Sequence, residues 1–193
     1  MAPGWGIGHH VRLEPLDASH ASGLEQAAAD GALWTLPFTS VPAPGDAPAY
    51  IAAALAARER GDAIPFVVRD AAGEVIGSTR YYDVEPSVPN LHIGYTWYAA
   101  RAQRTRVNTE AKKLLLAHAF GTMGCEAVMF ETSHLNARSQ AAIERLGAKR
   151  DGILRAHMRH RDGSLRNTYR YSILRSEWPD VERRLTERLE ARA

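Results

Sequence analysis

The chain has a single cysteine, Cys125, among 193 residues, which excludes an internal disulfide and the paired-cysteine spacing of zinc and redox motifs. Cys125 follows Gly124, where a helix is expected to end, so it reads as a buried structural thiol rather than a nucleophile. No His-x-x-x-His pair occurs, and with it goes the remaining metal-ligand spacing. Apolar runs stay well short of the ~20 residues that a membrane span needs. The opening MAPGWGIGHH lacks the basic and apolar regions of a signal peptide. These absences point to a cytoplasmic protein with no membrane segment and no metal. Internal repeats and low-complexity segments are missing as well. What is present, 45% hydrophobic and 24% charged residues, suits one packed domain over 1–193, with 1–8 expected as a flexible tail.

The net charge of +2 is unevenly spread: residues 1–100 carry −6, residues 101–170 carry +8, and residues 171–193 are neutral. An anionic partner therefore belongs to the middle-to-late part of the chain. Aromatic residues are not interleaved with that positive charge, which disfavours nucleic acid and suits a small phosphorylated ligand.

Period-two alternation in HHVRLEPL predicts a first strand over 9–16. An alanine-rich helix from Asp17 to Gly31, a proline-rich loop, and a second helix from Asp46 to Gly61 follow. IPFVVRD and VIGSTRYYDV flank a glycine turn as a hairpin, and LHIGYTWY (91–98) completes a three-strand meander. A helix over 108–123 presents Ala111, Leu114, Leu115, His118 and Ala119 on one face. EAVMFETS is expected as a central strand, and NARSQAAIERLGA as a helix opened by Asn136 and closed by Gly147. Two strands about RDGS and a C-terminal helix within 176–193 end the chain. In that helix Val181, Leu185 and Leu189 form a stripe that could pack on its own domain or on a second copy, so monomer and homodimer both stay open. The order β, α, α, β, β, β, α, β, α, β, β, α predicts an α/β (α+β) domain with a mixed sheet.

Residues 99–120, AARAQRTRVNTEAKKLLLAHAF, bring three arginines to a helix start, a device for binding anions. That stretch, together with NARSQAAIERLGAKRDGILR and the closing YSILRSEWP, resembles the GNAT superfamily of acetyl-CoA-dependent N-acetyltransferases, in particular its RimJ/RimL-like branch. The likeness spans about His10 to Pro179. It implies a mostly antiparallel central sheet of about seven strands flanked by helices, with strands four and five splayed. It also implies acetyl-CoA as cosubstrate and an amine-bearing acceptor, either a protein N-terminus or a small molecule. The family's diphosphate loop, Gln/Arg-x-x-Gly-x-Gly/Ala, aligns with Gln103, Arg104, Thr105, Arg106, Val107 and Asn108, with Thr109 following. The first position matches, but Arg106 and Asn108 stand where small residues are usual. A backbone N-H of the YTWY segment, around Trp97 and Tyr98, would polarise the thioester carbonyl. Asn136 would hold the pantetheine amides and Ser139 would stand near the sulfur.

Transfer to an amine needs a base with a pKa near working pH. His92 occupies the strand position where the resembling branch commonly carries a glutamate, and Glu131 is a second candidate. The plain alternatives are a packed strand histidine for His92 and helix capping for Asn136 and Ser139. Trp34 and Phe38 lie in the proline-rich loop, as walls of an acceptor groove or as cover for the core, with Tyr95 a further candidate beside them. A non-catalytic acyl-CoA-binding or sensing domain with an altered cofactor loop stands as the alternative function.

Overall fold

The computed structural model describes residues 6–191, so the first five residues of the tail expected at 1–8 lie outside the described residues. Gly6–Gly8 are not loose: they turn back on the first strand, with Leu13 N-H donating to the Gly6 carbonyl at 2.8 Å and Gly8 N-H to that of Val11 at 2.8 Å. The strands are β1 (Val11–Pro15), β2 (Ala63–Asp70), β3 (Val75–Glu85), β4 (Asn90–Tyr98), β5 (Ala127–Ser133), β6 (Lys149–Arg159) and β7 (Leu165–Leu174). The helices are α1 (Ala21–Ala29), α2 (Ala47–Glu59), α3 (Val107–Ala117), α4 (Ala137–Leu146) and α5 (Trp178–Glu190). One sheet carries all seven strands in the order β1-β2-β3-β4-β5-β7-β6. Only β4 and β5 pair in parallel; the other neighbours are antiparallel. The element order, the β2-β3-β4 meander and the interior place of β5 all agree with the sequence reading.

Local chemistry explains the element ends. The first helix is split, because Asp17 caps a short 3-10 turn at Ala18–His20 before α1 begins. Asn136 accepts from the Ser139 N-H and Gly147 closes α4 in the left-handed region, at φ 103°. α3 ends in a single wide turn at His118–Thr122, where Met123 N-H reaches the His118 carbonyl. The Tyr81 hydroxyl donates to the Leu115 carbonyl at 2.7 Å at that end of the helix.

The two faces of the sheet have separate cores. On one, Phe66, Val68, Tyr81, Leu91, Ile93, Val128 and Phe130 pack with Ala111, Leu115 and Leu116 of α3, Ile143 and Leu146 of α4, and Val181 and Leu185 of α5. Val181 and Leu185 of the C-terminal stripe thus pack on their own domain. On the other face, Val67, Val75 and Trp97 meet Leu24, Ala27 and Ala28 of α1 and Ile51 and Ala54 of α2. α1 lies on β3 and α2 on β2, so this second layer stops at β4. Among the described residues, the same face of β5, β7 and β6 has no helix above it.

Lys112 departs from the usual solvated position of a helix lysine. It is 5% exposed on the inner side of α3, and its Nζ donates to Thr96 Oγ1 at 2.6 Å and Thr79 Oγ1 at 3.5 Å, linking α3 to β4 and β3. Burial pulls its amine down to about 7. The folded state therefore binds fewer protons than the unfolded chain between that value and the ordinary lysine range, and stability rises with pH across this window. We predict that from pH 7 to 8.5 the unfolding free energy of wild type gains about 1–2 kcal/mol relative to Lys112→Met. Urea denaturation of both proteins at the two pH values checks this; parallel pH profiles would show that Lys112 is charged in the fold.

Candidate active site

β4 and β5 are bonded only through Asn90, Leu91 and His92 against Ala127, Val128 and Met129. Beyond that point β4 runs on to Tyr98 and β5 to Ser133, still attached to β3 and β7 respectively but no longer to each other. The parting coincides with a bulge. Arg80 faces Gly94 and Ser78 faces Trp97, so three steps of β4 match two of β3. Tyr95 takes up the extra residue with φ 51°, a left-handed conformation uncommon for a tyrosine. Gly94 is required there, because a Cβ would stand 2.7 Å from the Tyr82 ring. The expected splay of strands four and five is therefore present, starting at His92.

α3 follows β4 and α4 follows β5, both on the same face, so both helices begin at the end where the two parallel strands open. The first-turn N-H groups of Asn108 and Thr109 have no intrahelical acceptor. Thr105 receives the Val107 N-H at 3.2 Å and donates to the Ala102 carbonyl at 2.7 Å, which fixes the approach to α3. Arg104 and Arg106 make no ion pair among the described residues, whereas Arg101 lies 3.4 Å from Asp30. The left-handed residue of this turn is Arg104, at φ 60°; Arg106 has a helical φ of −71°. The backbone here therefore does not demand glycine at Arg106.

Several side chains of the expected cofactor segments make contacts within the protein. The Trp97 side chain is buried under α1 and α2 and donates to the Tyr50 hydroxyl at 3.3 Å. The side chains of Tyr98 and Val107 belong to the α3-side core. The Gln103 amide donates to the Tyr98 carbonyl at 2.9 Å, tying the loop to the end of β4. Periodicity alone could not separate these inward side chains from cofactor-facing ones. Asn136 Oδ1 is occupied as the α4 cap, at 3.1 Å from the Ser139 N-H, which leaves its amide N-H groups free to donate. The Ser139 hydroxyl, half-buried, has no hydrogen bond among the described residues.

The helix-free side of the sheet gathers the titratable groups. His92 lies opposite Tyr82, and their rings stack with centroids 4.9 Å apart. His92 Nε2 is 3.8 Å from Glu131 Oε1 and Nδ1 is 3.8 Å from Asp83 Oδ2, both too long for hydrogen bonds, and neither nitrogen has another partner among the described residues. Burial holds the imidazole below its ordinary range, while Glu131 and Asp83 pull upward and Arg170 downward. Glu131 Oε1 accepts from Arg170 Nε at 2.9 Å and Nη2 at 2.6 Å. Tyr95, exposed, meets the Tyr82 ring edge-on at 5.3 Å and carries the Arg80 guanidinium 4.0 Å from its ring centroid. The loop bearing Trp34 and Phe38 reaches toward this side: Arg161 Nη1 donates to the Trp34 carbonyl at 3.1 Å and Arg161 N-H to that of Pro37 at 3.2 Å. Trp34 and Phe38 are half-buried. Between that loop, Tyr50 and Arg161 lies a cavity of about 430 Å³.

Sequence reasoning brought together His92, Glu131 and Tyr95 but missed Tyr82, Arg80, Arg166 and Arg170. The signal was the alternation in STRYYDV and LRNTYR, which puts Arg80 with Tyr82, and Arg166 with Arg170, on single faces. Among the described residues no cluster of histidine, cysteine or carboxylate side chains is suited to a metal.

Because burial dominates its shift, His92 is neutral at pH 7, and removing Glu131 takes away a charge that favours the imidazolium. In a histidine NMR titration the His92 resonance should have a midpoint below the ordinary 6.5 in wild type and lower still in Glu131→Gln. A midpoint that rises in the variant would contradict this electrostatic account.

The acetyltransferase (GNAT) domain model matches residues 10–149. The fold is shared with a GCN5-related N-acetyltransferase from Brucella melitensis, 30% identical over 93% of this chain and 82% of that one, with a TM-score of 0.82. A T. thermophilus protein designated an acetyltransferase by inference is 34% identical, covers 98% of each chain and has a TM-score of 0.84. Mycobacterium smegmatis RimJ, solved with a coenzyme A disulfide, has the same fold at 22% identity, 97% coverage of each chain and a TM-score of 0.79. A search of curated proteins by sequence gives no match. A sheet that opens beside a buried histidine is thus joined to a family match over most of the chain, and the protein belongs to the GNAT family as an N-acetyltransferase.

Proposed function

We propose that the protein moves an acetyl group from acetyl-CoA directly to a primary amine. The observation that carries this reading is the gap between β4 and β5, which opens next to a neutral, unpartnered His92. The residues present fit coenzyme A: the α3 N-terminus with Arg104 and Arg106 suits a diphosphate, and the gap suits an extended pantetheine arm. RimJ of M. smegmatis, with the same fold, was solved with a coenzyme A disulfide, which supports this use of the gap. A helical φ at Arg106 also removes the conformational objection to a loop without glycine there.

In the reaction the amine nitrogen attacks the thioester carbonyl carbon, the carbon–sulfur bond breaks, and the thiolate leaves, taking up the proton that the new amide nitrogen loses. His92 takes the ammonium proton, directly or through a water. Glu131, already engaged by Arg170, is less suited as the base and instead favours the imidazolium once it forms. An N-H released where β4 bulges at Tyr95 polarises the carbonyl, and the Ser139 hydroxyl stabilises the departing thiolate. The acceptor comes from the opposite face, over Tyr82 and Tyr95 and under the loop of Trp34 and Phe38. Acetyl-CoA is a cytoplasmic metabolite, and its use as cosubstrate supports a cytoplasmic enzyme.

Calorimetry should give micromolar acetyl-CoA binding, weakened about 10-fold in Arg106→Ala by loss of a charge-assisted contact. With an amine that is turned over, His92→Gln should lower kcat about 100-fold or more while leaving acetyl-CoA affinity unchanged. Absence of acetyl-CoA binding would overturn the proposal. Binding without turnover across a broad amine panel would favour the acyl-CoA sensing alternative.

A further inference from the structure

Charge on the acceptor side of the sheet does not balance. Glu131 is engaged by Arg170, and Asp83, largely exposed, stands beside His92. Arg80 and Arg166 are left over. Arg80 is 7% exposed, has no carboxylate within ion-pair distance among the described residues, and keeps a buried Nε with no acceptor. Among the described residues its guanidinium meets two aromatic faces, 4.0 Å from the Tyr95 centroid and 5.4 Å from that of Tyr50. Arg166, on β7, also has a buried Nε without a partner among the described residues; burial pulls its pKa down, and Glu131, Tyr82 and Tyr95 are the groups it senses.

Burying a guanidinium without an anion is costly, and stacking on tyrosine offsets part of that cost at most. Arg170 on the same strand face shows the usual solution, two hydrogen bonds to one carboxylate oxygen. Coenzyme A does not answer for the other two arginines. Its diphosphate seat is at the N-terminus of α3, on the opposite face of the sheet, whereas Arg80, Tyr82, His92 and Arg166 share the other face, Arg80 beside Tyr50 of α2. Arg80 lies over the ring of Tyr95, the residue thrown outward by the bulge, and over that of Tyr50, which lines the 430 Å³ cavity, while Arg166 stands on the same sheet face as Glu131 and Arg170.

We propose that the acceptor carries, beside its reactive amine, an oxyanion, carboxylate or phosphate, held by Arg80 and Arg166 while the amine faces His92. The inference rests on the acetyl-transfer reading and narrows its substrate class. An arginine fork matches either oxyanion in two-point contact. A site so built rejects the neutral isostere because the guanidinium is then left unpaired.

The test uses matched acceptor pairs with acetyl-CoA: β-alanine against β-alaninamide, ethanolamine phosphate against ethanolamine, and a Ser-Asp against a Ser-Asn peptide. The three pairs separate a small carboxylate, a phosphate and an acidic peptide terminus. At least one anionic member should exceed its neutral partner about 10-fold or more in kcat/KM, and Arg80→Gln should reduce that preference to less than about 3-fold. Arg166→Gln, at a less buried position, serves as the second variant should Arg80→Gln fold poorly. Independently of turnover, the N-acetylated anionic members should raise the Tm of the CoA-saturated protein more than their neutral counterparts do at equal ionic strength. Equal or better use of the neutral member in every pair would overturn the inference. So would the absence of both anion-selective turnover and an anion-selective Tm shift. Acetyl-CoA binding, measured separately, shows whether the acetyl-transfer reading itself has failed.

Discussion

The shortness of the β4–β5 pairing governs the rest of the structure. Three residue pairs join the strands before they part, and the bulge at Tyr95 turns the remainder of β4 away while β3 continues to hold it. A bulge leaves backbone groups outside the ladder. Buried groups of that kind are costly unless something satisfies them, which makes an opening in the middle of a sheet a natural place for a ligand with its own amide groups. The same divergence sends α3 and α4 off from one edge, so that their N-termini flank the opening. It also places His92 at the last shared rung, where the wall of the gap and the open face of the sheet meet.

The electrostatics follow from what covers each face. α1 and α2 bury the β2–β3 part of one side and stop there. Among the described residues, His92, Glu131, Arg166 and Arg170 consequently stand on a part of the sheet with no helix above it, where burial holds the imidazole below its ordinary range. On the other face, Lys112 is pulled toward neutrality beneath the same bulge and joined to Thr96 and Thr79. Both groups oppose folding in their charged forms. The surrounding aromatic and aliphatic core, with Tyr81, Phe66, Leu115 and Phe130 fully enclosed, supplies the stability that tolerates them.

Much of this was legible residue by residue. Alternation and turn chemistry placed every strand and helix, the Asn136 cap and the Gly147 stop behaved as their residue types require, and the valine–leucine stripe of α5 met its own core. The loop before α3 was less transparent. Its left-handed residue is Arg104, while Arg106, in the aligned glycine position, is helical. Trp97 and Tyr98 turned inward on opposite faces, because a strand at the seam between two cores buries both of its sides. Arg80 and Arg166 carried no motif at all, and their isolation from carboxylates can be seen only in three dimensions.

The sequence by itself determined the elements, their order and the concentration of positive charge near the start of α3, since these depend on periodicity, caps and composition within short windows. Only the tertiary structure decided that β4 leaves β5 after His92, that Glu131 is already engaged by Arg170, that Lys112 is buried, and that Arg80 and Arg166 share the His92 face with no ion pair among the described residues. Each of these arises between strands distant in the chain. Their pairing depends on register and on which layer covers which face, and no local pattern encodes that.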